Sequence, residues 1–549
     1  MKRLALLIAS LAGTALLALV PGASSSGSTG TSLFECDEGG PLCAETVDPI
    51  GYAGAYTGHD EPSVLFYSSV AGSGNSQLYK LTIPAEPPNP PKQDGTRGTF
   101  NFQLHPAFWF GMALCDDASG PNPGGSAIAG PQIPCTPDSD ANIYDDPNVA
   151  DPFYIGKHPG TGFLELQFYP PGWVKWPPGV SCDPSKWCAA MVLFQLNQNQ
   201  NTGVANNAAC LGSVGIEPAN FAFITRSGTP IGPPDPLGQT AATFTPVASK
   251  VLMFAGGDTV TVDLHDSSAG LVTAINDLTS GQSGSMTAST ANGFAHIDFA
   301  PSASTCTETS GAWHPSYSTS SEHTRVPWAA HSYNVAFSDE IGHFEYCNAV
   351  SSQGGACTQD GVGDLDNGLP AGAEDDFGCF APPFMPPFQS TRVKIGGCLA
   401  TDFDFDGVSY KTTWPGSLSN AAQDEAFNPQ PIRFASPLFN GTQAYDRVAF
   451  EADLPRIELN TNPPCNRSTG ANCVNPPVGA SFYPIYSTTA SGGQCVWQLG
   501  GPYIPGTTNT FGGTSTAEYG PQLVLVYPGT AGPVSRINNF RNVLSSNPC

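Results

Sequence analysis

Short runs that alternate apolar and polar residues, each cut off by Pro, Gly or Asn, constrain this chain more than any other feature. "FNFQLH", "FLELQFY", "AMVLFQLNQ", "DTVTVDLH", "GLVTAIND" and "FAHIDF" are examples. A period of two puts successive side chains on opposite faces of a strand. No segment sustains a helical period. Composition agrees: 61 Gly and 53 Pro, with only 12% charged residues, leave little sequence suited to long surface helices. The prediction is an all-β chain, a β-sandwich of jelly-roll type over residues 64–346. A Cys/Asp-rich region, 347–412, and a C-terminal β-rich section, 413–549, follow.

The start of the chain predicts export. Lys2 and Arg3 precede an apolar run from Leu4 to Val20, and small residues follow. This is the pattern of a signal peptide over 1–25, too short and wrongly flanked for a membrane span. Residues 26–63 then form a linker and an N-terminal disulfide segment. All 16 cysteines lie after the signal, and an even count in an exported chain implies disulfides. Closeness suggests Cys36–Cys43, Cys182–Cys188 and Cys465–Cys473. The net charge of −26 makes nucleic acid and anionic membrane surfaces poor partners. No membrane insertion is expected. The protein is placed as secreted and extracellular.

Two stretches crowd carboxylates. "DFDFDG" supplies Asp402, Asp404 and Asp406 before Gly407, and "DGVGDLDNG" supplies Asp360, Asp364 and Asp366. Alternate carboxylates closed by a turn can wrap a hard cation, which takes six to eight oxygens. Few Lys or Arg stand nearby, so Ca2+ is preferred to ion pairing or to solvated Asp-rich turns. The first stretch is similar to dockerin and thrombospondin-type loops, the second to a thrombospondin type-3 repeat. An EF-hand is excluded because its twelfth place is Thr413 and no flanking helix is visible.

Alternation also sorts strand faces. Leu164, Leu166 and Phe168 belong to the core, while Phe163, Glu165, Gln167 and Tyr169 face away. His296 and Asp298, and likewise His343 and Glu345, oppose apolar neighbours. Amides, acids, imidazoles and aromatics on one side suit sugar hydroxyls, so the expected partner is an extracellular glycan or other polymer. The solvated outer face of a sandwich is the plainer alternative. For hydrolysis, Glu165 and Glu345 are the acid/base candidates, with His105, Gln167, Asp298, His343 and Trp173 contacting substrate.

Gly257–Ser289, which includes "DLTSGQS", resembles the paired strands of fungal glutamic peptidases. That resemblance implies a concanavalin-like sandwich and a Gln–Glu pair that activates water. A peptidase would use Gln167 or Gln103 beside a Glu. The chain as a whole resembles secreted proteins of actinobacterial and fungal type, which implies no activity. A non-catalytic surface or matrix protein is the third reading.

Overall fold

The computed structural model describes residues 63–85 save 69, 108–118, 135–142, 161–169, 182–195 save 184, 197, 205–315 save 216 and 217, and 336–339. It also describes 347–350, 357–360, 432–452 save 446, 486–499, 522–527, 534–544 and Cys549.

Strands β1 (Ser63–Tyr67) and β2 (Ser76–Thr82) come first, then β3 (Phe108–Asp116), β4 (Thr161–Tyr169) and β5 (Trp187–Gln195). A short helix, α1 (Ala208–Val214), precedes β6 (Ala219–Phe223) and β7 (Met253–Phe254). Next are β8 (Thr259–His265), β9 (Val272–Asp277), β10 (Ser283–Thr287), β11 (Ala295–Ile297), β12 (Glu308–Ser310) and β13 (Trp313–Pro315). Then follow β14 (Ala336–Asp339), β15 (Cys347–Val350), β16 (Cys357–Asp360), β17 (Arg433–Phe439), β18 (Gln443–Ala444) and β19 (Arg447–Ala452). The last are β20 (Tyr486–Ser491), β21 (Gln494–Leu499), β22 (Gln522–Tyr527) and β23 (Val534–Leu544).

The chain is mostly antiparallel sheet. One sheet has 11 strands, running β22-β23-β19-β1-β14-β3-β4-β5-β6 with β13 beside β3 and β7 beside β5. The other has 8, running β10-β9-β8-β2-β17-β21-β20 with β18 beside β17. Both contribute to one buried core. Phe66, Phe110, Leu166 and Trp187 from the first sheet join Tyr79, Val262, Phe434 and Trp497 from the second. That shared core makes the pair of sheets a sandwich. The two sheets also meet at one side, where Thr225 bridges both Ser285 and Val251.

Strands β1 and β2 lie in the interior of the two sheets, and C-terminal strands complete both. β19 pairs with β1, and β17 with β2. Strands of 413–549 therefore extend the sheets begun in 64–346, rather than forming sheets of their own. β15 and β16 make a separate two-stranded ribbon, in a zone where alternation was not visible.

Local chemistry explains the turns. In "DLTS", Asp277 Oδ1 accepts from the backbone N–H of Thr279 and Ser280, fixing the β9–β10 turn. Gly492 and Gly493, at φ 58° and 78°, form the two-residue link between β20 and β21. Only residues tolerant of positive φ suit such a link.

Among the described residues four disulfides form: Cys115–Cys135, Cys182–Cys188, Cys210–Cys306 and Cys495–Cys549. The second was expected from closeness. Cys36–Cys43 and Cys465–Cys473 lie outside the described residues. Disulfides fit an oxidising compartment. Among the described residues no helix is long and apolar enough to cross a membrane.

Cys210–Cys306 spans 96 residues and joins α1 to the segment before β12. Replacing both cysteines with Ser should cost about 2–5 kcal/mol. Guanidinium unfolding of the variant against the parent measures it. A loss below about 1 kcal/mol would show that the bridge leaves the unfolded chain unconstrained.

Candidate active site

Strand β4 carries the site. Its even-numbered side chains Leu164, Leu166 and Phe168 enter the core between the sheets. Phe163 and Tyr169 join a second apolar cluster on the other face, with Phe194, Phe221, Phe223 and Phe244. Alternation thus sorts the two faces as expected, but the outer face is covered. Glu165 and Gln167 are each only 8% exposed.

These two side chains and Tyr169 form a ladder along one strand. Gln167 Nε2 donates to Glu165 Oε2 at 2.5 Å, and Tyr169 Oη–H donates to Gln167 Oε1. The amide orientation follows, because a carboxylate accepts only and a phenol donates. Burying a carboxyl is costly unless hydrogen bonds replace its water, and the ladder supplies them.

Strand β3 forms one wall. Gly111 pairs with Glu165, and Trp109 with Gln167. A Cβ on Gly111 would stand 2.5 Å from Trp109 Cζ3, so the indole lies over that glycine. It therefore sits beside the Glu165 side chain. On the other side, β5 sets Val192 opposite Glu165 and Ala190 opposite Gln167. Phe163 and Phe194 stack at 5.1 Å.

The remaining expected residues divide. Asp298 follows β11, half-buried, and accepts from Thr309 Oγ1 at 2.7 Å. β11 meets the end of β5, where Ile297 N–H donates to Gln195 Oε1. Gln195 lies three residues beyond Val192, about 10 Å along the strand, so Asp298 stands apart from the ladder. His296 also stands apart, with Nδ1 3.2 Å from Asp116 Oδ1 but without hydrogen-bond geometry. Asp116 shares the parity of core-facing Met112 and Leu114, on the face of β3 opposite to Gly111. Asp360 ends β16, opposite Cys347. His105, Trp173, His343, Glu345, Asp364, Asp366, Asp402, Asp404 and Asp406 lie outside the described residues.

Several groups were not predicted. Trp109 lies within β3. "FWFGMALCD" is apolar almost throughout, which hides its alternation. A buried pair, His314 Nδ1 and Asp266 Oδ1 at 2.7 Å, sits at the end of the sandwich. Glu308 is a third case. Burial pushes its carboxyl up to about 8, helped by a hydrogen bond to the Asp235 carboxyl and by the charges of Asp235 and Asp298. The Leu237 N–H, 3.0 Å from Oε2, acts the other way. Residue spacing carries no sign of that trio.

Among the described residues no three His, Cys, Asp or Glu side chains converge as a metal site. Comparison with protein-family models, curated proteins and solved structures finds no match for this chain.

Gly111→Ala would drive a methyl into the Trp109 ring and press it toward Glu165. Such overpacking typically costs about 1–3 kcal/mol. Urea unfolding should show that loss together with a changed tryptophan emission. An unshifted spectrum and midpoint would contradict the indole's placement.

Proposed function

We propose that this is a secreted, calcium-stabilised sandwich of concanavalin-like or jelly-roll type, which binds or hydrolyses an extracellular polysaccharide at Glu165. The observation that carries this reading is the Glu165–Gln167–Tyr169 ladder, a carboxylate and an amide beside the Trp109 indole. Amides and acids match sugar hydroxyls, and rings match the flat faces of pyranoses. In the hydrolytic form Glu165 is the acid or base, and Glu345 is its proposed partner from the sequence. This reading requires a polymer to reach the ladder through the cover over the outer face.

A second reading is favoured by one specific contact. Gln167 donates directly to Glu165, and a Gln–Glu pair is what the likeness of Gly257–Ser289 to glutamic peptidases implies. In that reading Glu165 takes a proton from water and Gln167 orients it. The third reading, a non-catalytic matrix or surface protein, leaves the ladder a structural device.

Turnover separates the three. The purified protein should bind insoluble glycans or release reducing sugar, and Glu165→Gln should lower turnover at least a hundredfold without changing the fold, since a general acid–base group contributes about 10²–10⁴. Cleavage of denatured protein near pH 3, lost in the same variant, would support the peptidase instead. Binding that survives Glu165→Gln, with no turnover of either polymer, would overturn both catalytic readings.

The calcium proposal rests on the spacing of Asp360, Asp364, Asp366, Asp402, Asp404 and Asp406. A chelator should lower the melting temperature, and Asp404→Ala should do the same. An unchanged curve, with no metal by elemental analysis, would remove calcium from the proposal.

A further inference from the structure

A loop of residues 226–250 runs across the outer face of the 11-stranded sheet. Its base is clamped: Arg226 Nη1 donates to the carbonyls of Ala248 and Ser249. Its middle covers the face. Phe244 packs on Phe221 with ring centroids 4.9 Å apart, and Phe221 touches the Tyr169 ring of the ladder. Its tip, "PPDPLG", crosses to β12. There Leu237 N–H donates to Glu308 Oε2 at 3.0 Å, and Leu237 packs against the cluster of Cys210, Val214 and Ile297. Asp235 folds back into the space above Gly238, where a Cβ would stand 2.1 Å from Asp235 Oδ2. That fold brings two carboxyl groups, Asp235 and Glu308, to hydrogen-bonding distance. Two carboxyls can share a hydrogen bond only if one holds a proton.

We propose that Glu308 and Asp235 form a proton-operated latch, in which the shared proton holds the tip of the 226–250 loop on β12 and its loss frees that tip. Two like charges then face each other, and the hydrogen bond between them is gone. The charged groups acting on Glu308 are Asp235 from the loop and Asp298 beside β11, both acidic. Thr309, its neighbour on β12, is occupied with Asp298. The α1 side brings the Cys210–Cys306 bridge, which does not titrate. No cation among these groups offsets the repulsion. The sign follows: the folded form keeps a proton that an unfolded Glu gives up near 4.5, so the latch contributes most at acid pH. Its contribution falls as pH rises through about 8. The inference does not depend on what the ladder does, because it concerns only the cover.

Hydrogen exchange of the intact, disulfide-bonded protein tests it. Protection of residues 231–244, corrected for intrinsic rates, should fall on the order of tenfold or more between about pH 6 and pH 9. Protection of β8, in the core, should not follow. In Glu308→Gln the amide donates to Asp235 and still accepts from Leu237, so the fall should vanish. Asp235→Asn should act alike and serves if the first variant folds poorly. Flat protection in the parent would overturn the latch. So would the same fall in either variant, or a parallel loss in β8.

Discussion

Phe66 sits where both halves of the chain must meet. Its ring lies against Tyr79 of β2 at 6.3 Å, Phe434 of β17 at 6.4 Å, Tyr445 at 6.3 Å and Trp497 of β21 at 6.0 Å. These residues span the two sheets and more than 400 positions of sequence. Without the C-terminal strands, β1 and β2 would each lose a neighbour and Phe66 most of its ring contacts. The N-terminal strands therefore wait for the end of the chain. Two polar groups inside this cluster find partners: Tyr445 Oη–H donates to the Ser73 carbonyl and Trp497 Nε1–H to Ser436 Oγ. Such long-range closure makes for slow folding, since loop entropy is lost before contacts compensate.

The same architecture explains why the ladder looks as it does. Strands β3, β4 and β5 are buried on both faces, one by the second sheet and one by the outer cluster. A carboxyl on such a strand has little water to turn to. Glu165 is satisfied along its own strand, by the amide two residues on, and that amide by the phenol two residues further. The pleat sets that spacing, because alternate residues on one strand point the same way.

Alternation made much of the sandwich legible. It placed β4, β8 and β9 and sorted both faces of β4, because half the residues there are polar. It marked β5 through "AMVLFQLNQ" but was silent in β3, where burial on both faces erases the contrast. Pairing was harder still. Nothing local marks Arg433 as the partner of Thr82, or Phe450 as that of Val64, since register across hundreds of residues is set by the whole core. Proximity found Cys182–Cys188 but had no purchase on Cys210–Cys306. The latch was invisible for another reason. Glu308 behaves unusually only because folding sets it, half-buried, beside two other acids.

These particulars share one cause in the composition. The chain holds 46 Asp and Glu against 20 Lys and Arg, so cations cannot partner most of its carboxyl groups. The buried acids turn elsewhere. Asp266 faces an imidazole, Asp277 a turn of backbone N–H groups and a hydroxyl, Glu165 an amide, and Glu308 a proton shared with another acid. Contacts of this kind act at short range through hydrogen bonds, where dissolved salt screens little. They are also directional, so each fixes a turn, a ring or a side-chain rotamer rather than merely offsetting charge. A sandwich poor in Lys and Arg thus holds its acids by geometry and, where a partner is another acid, by pH.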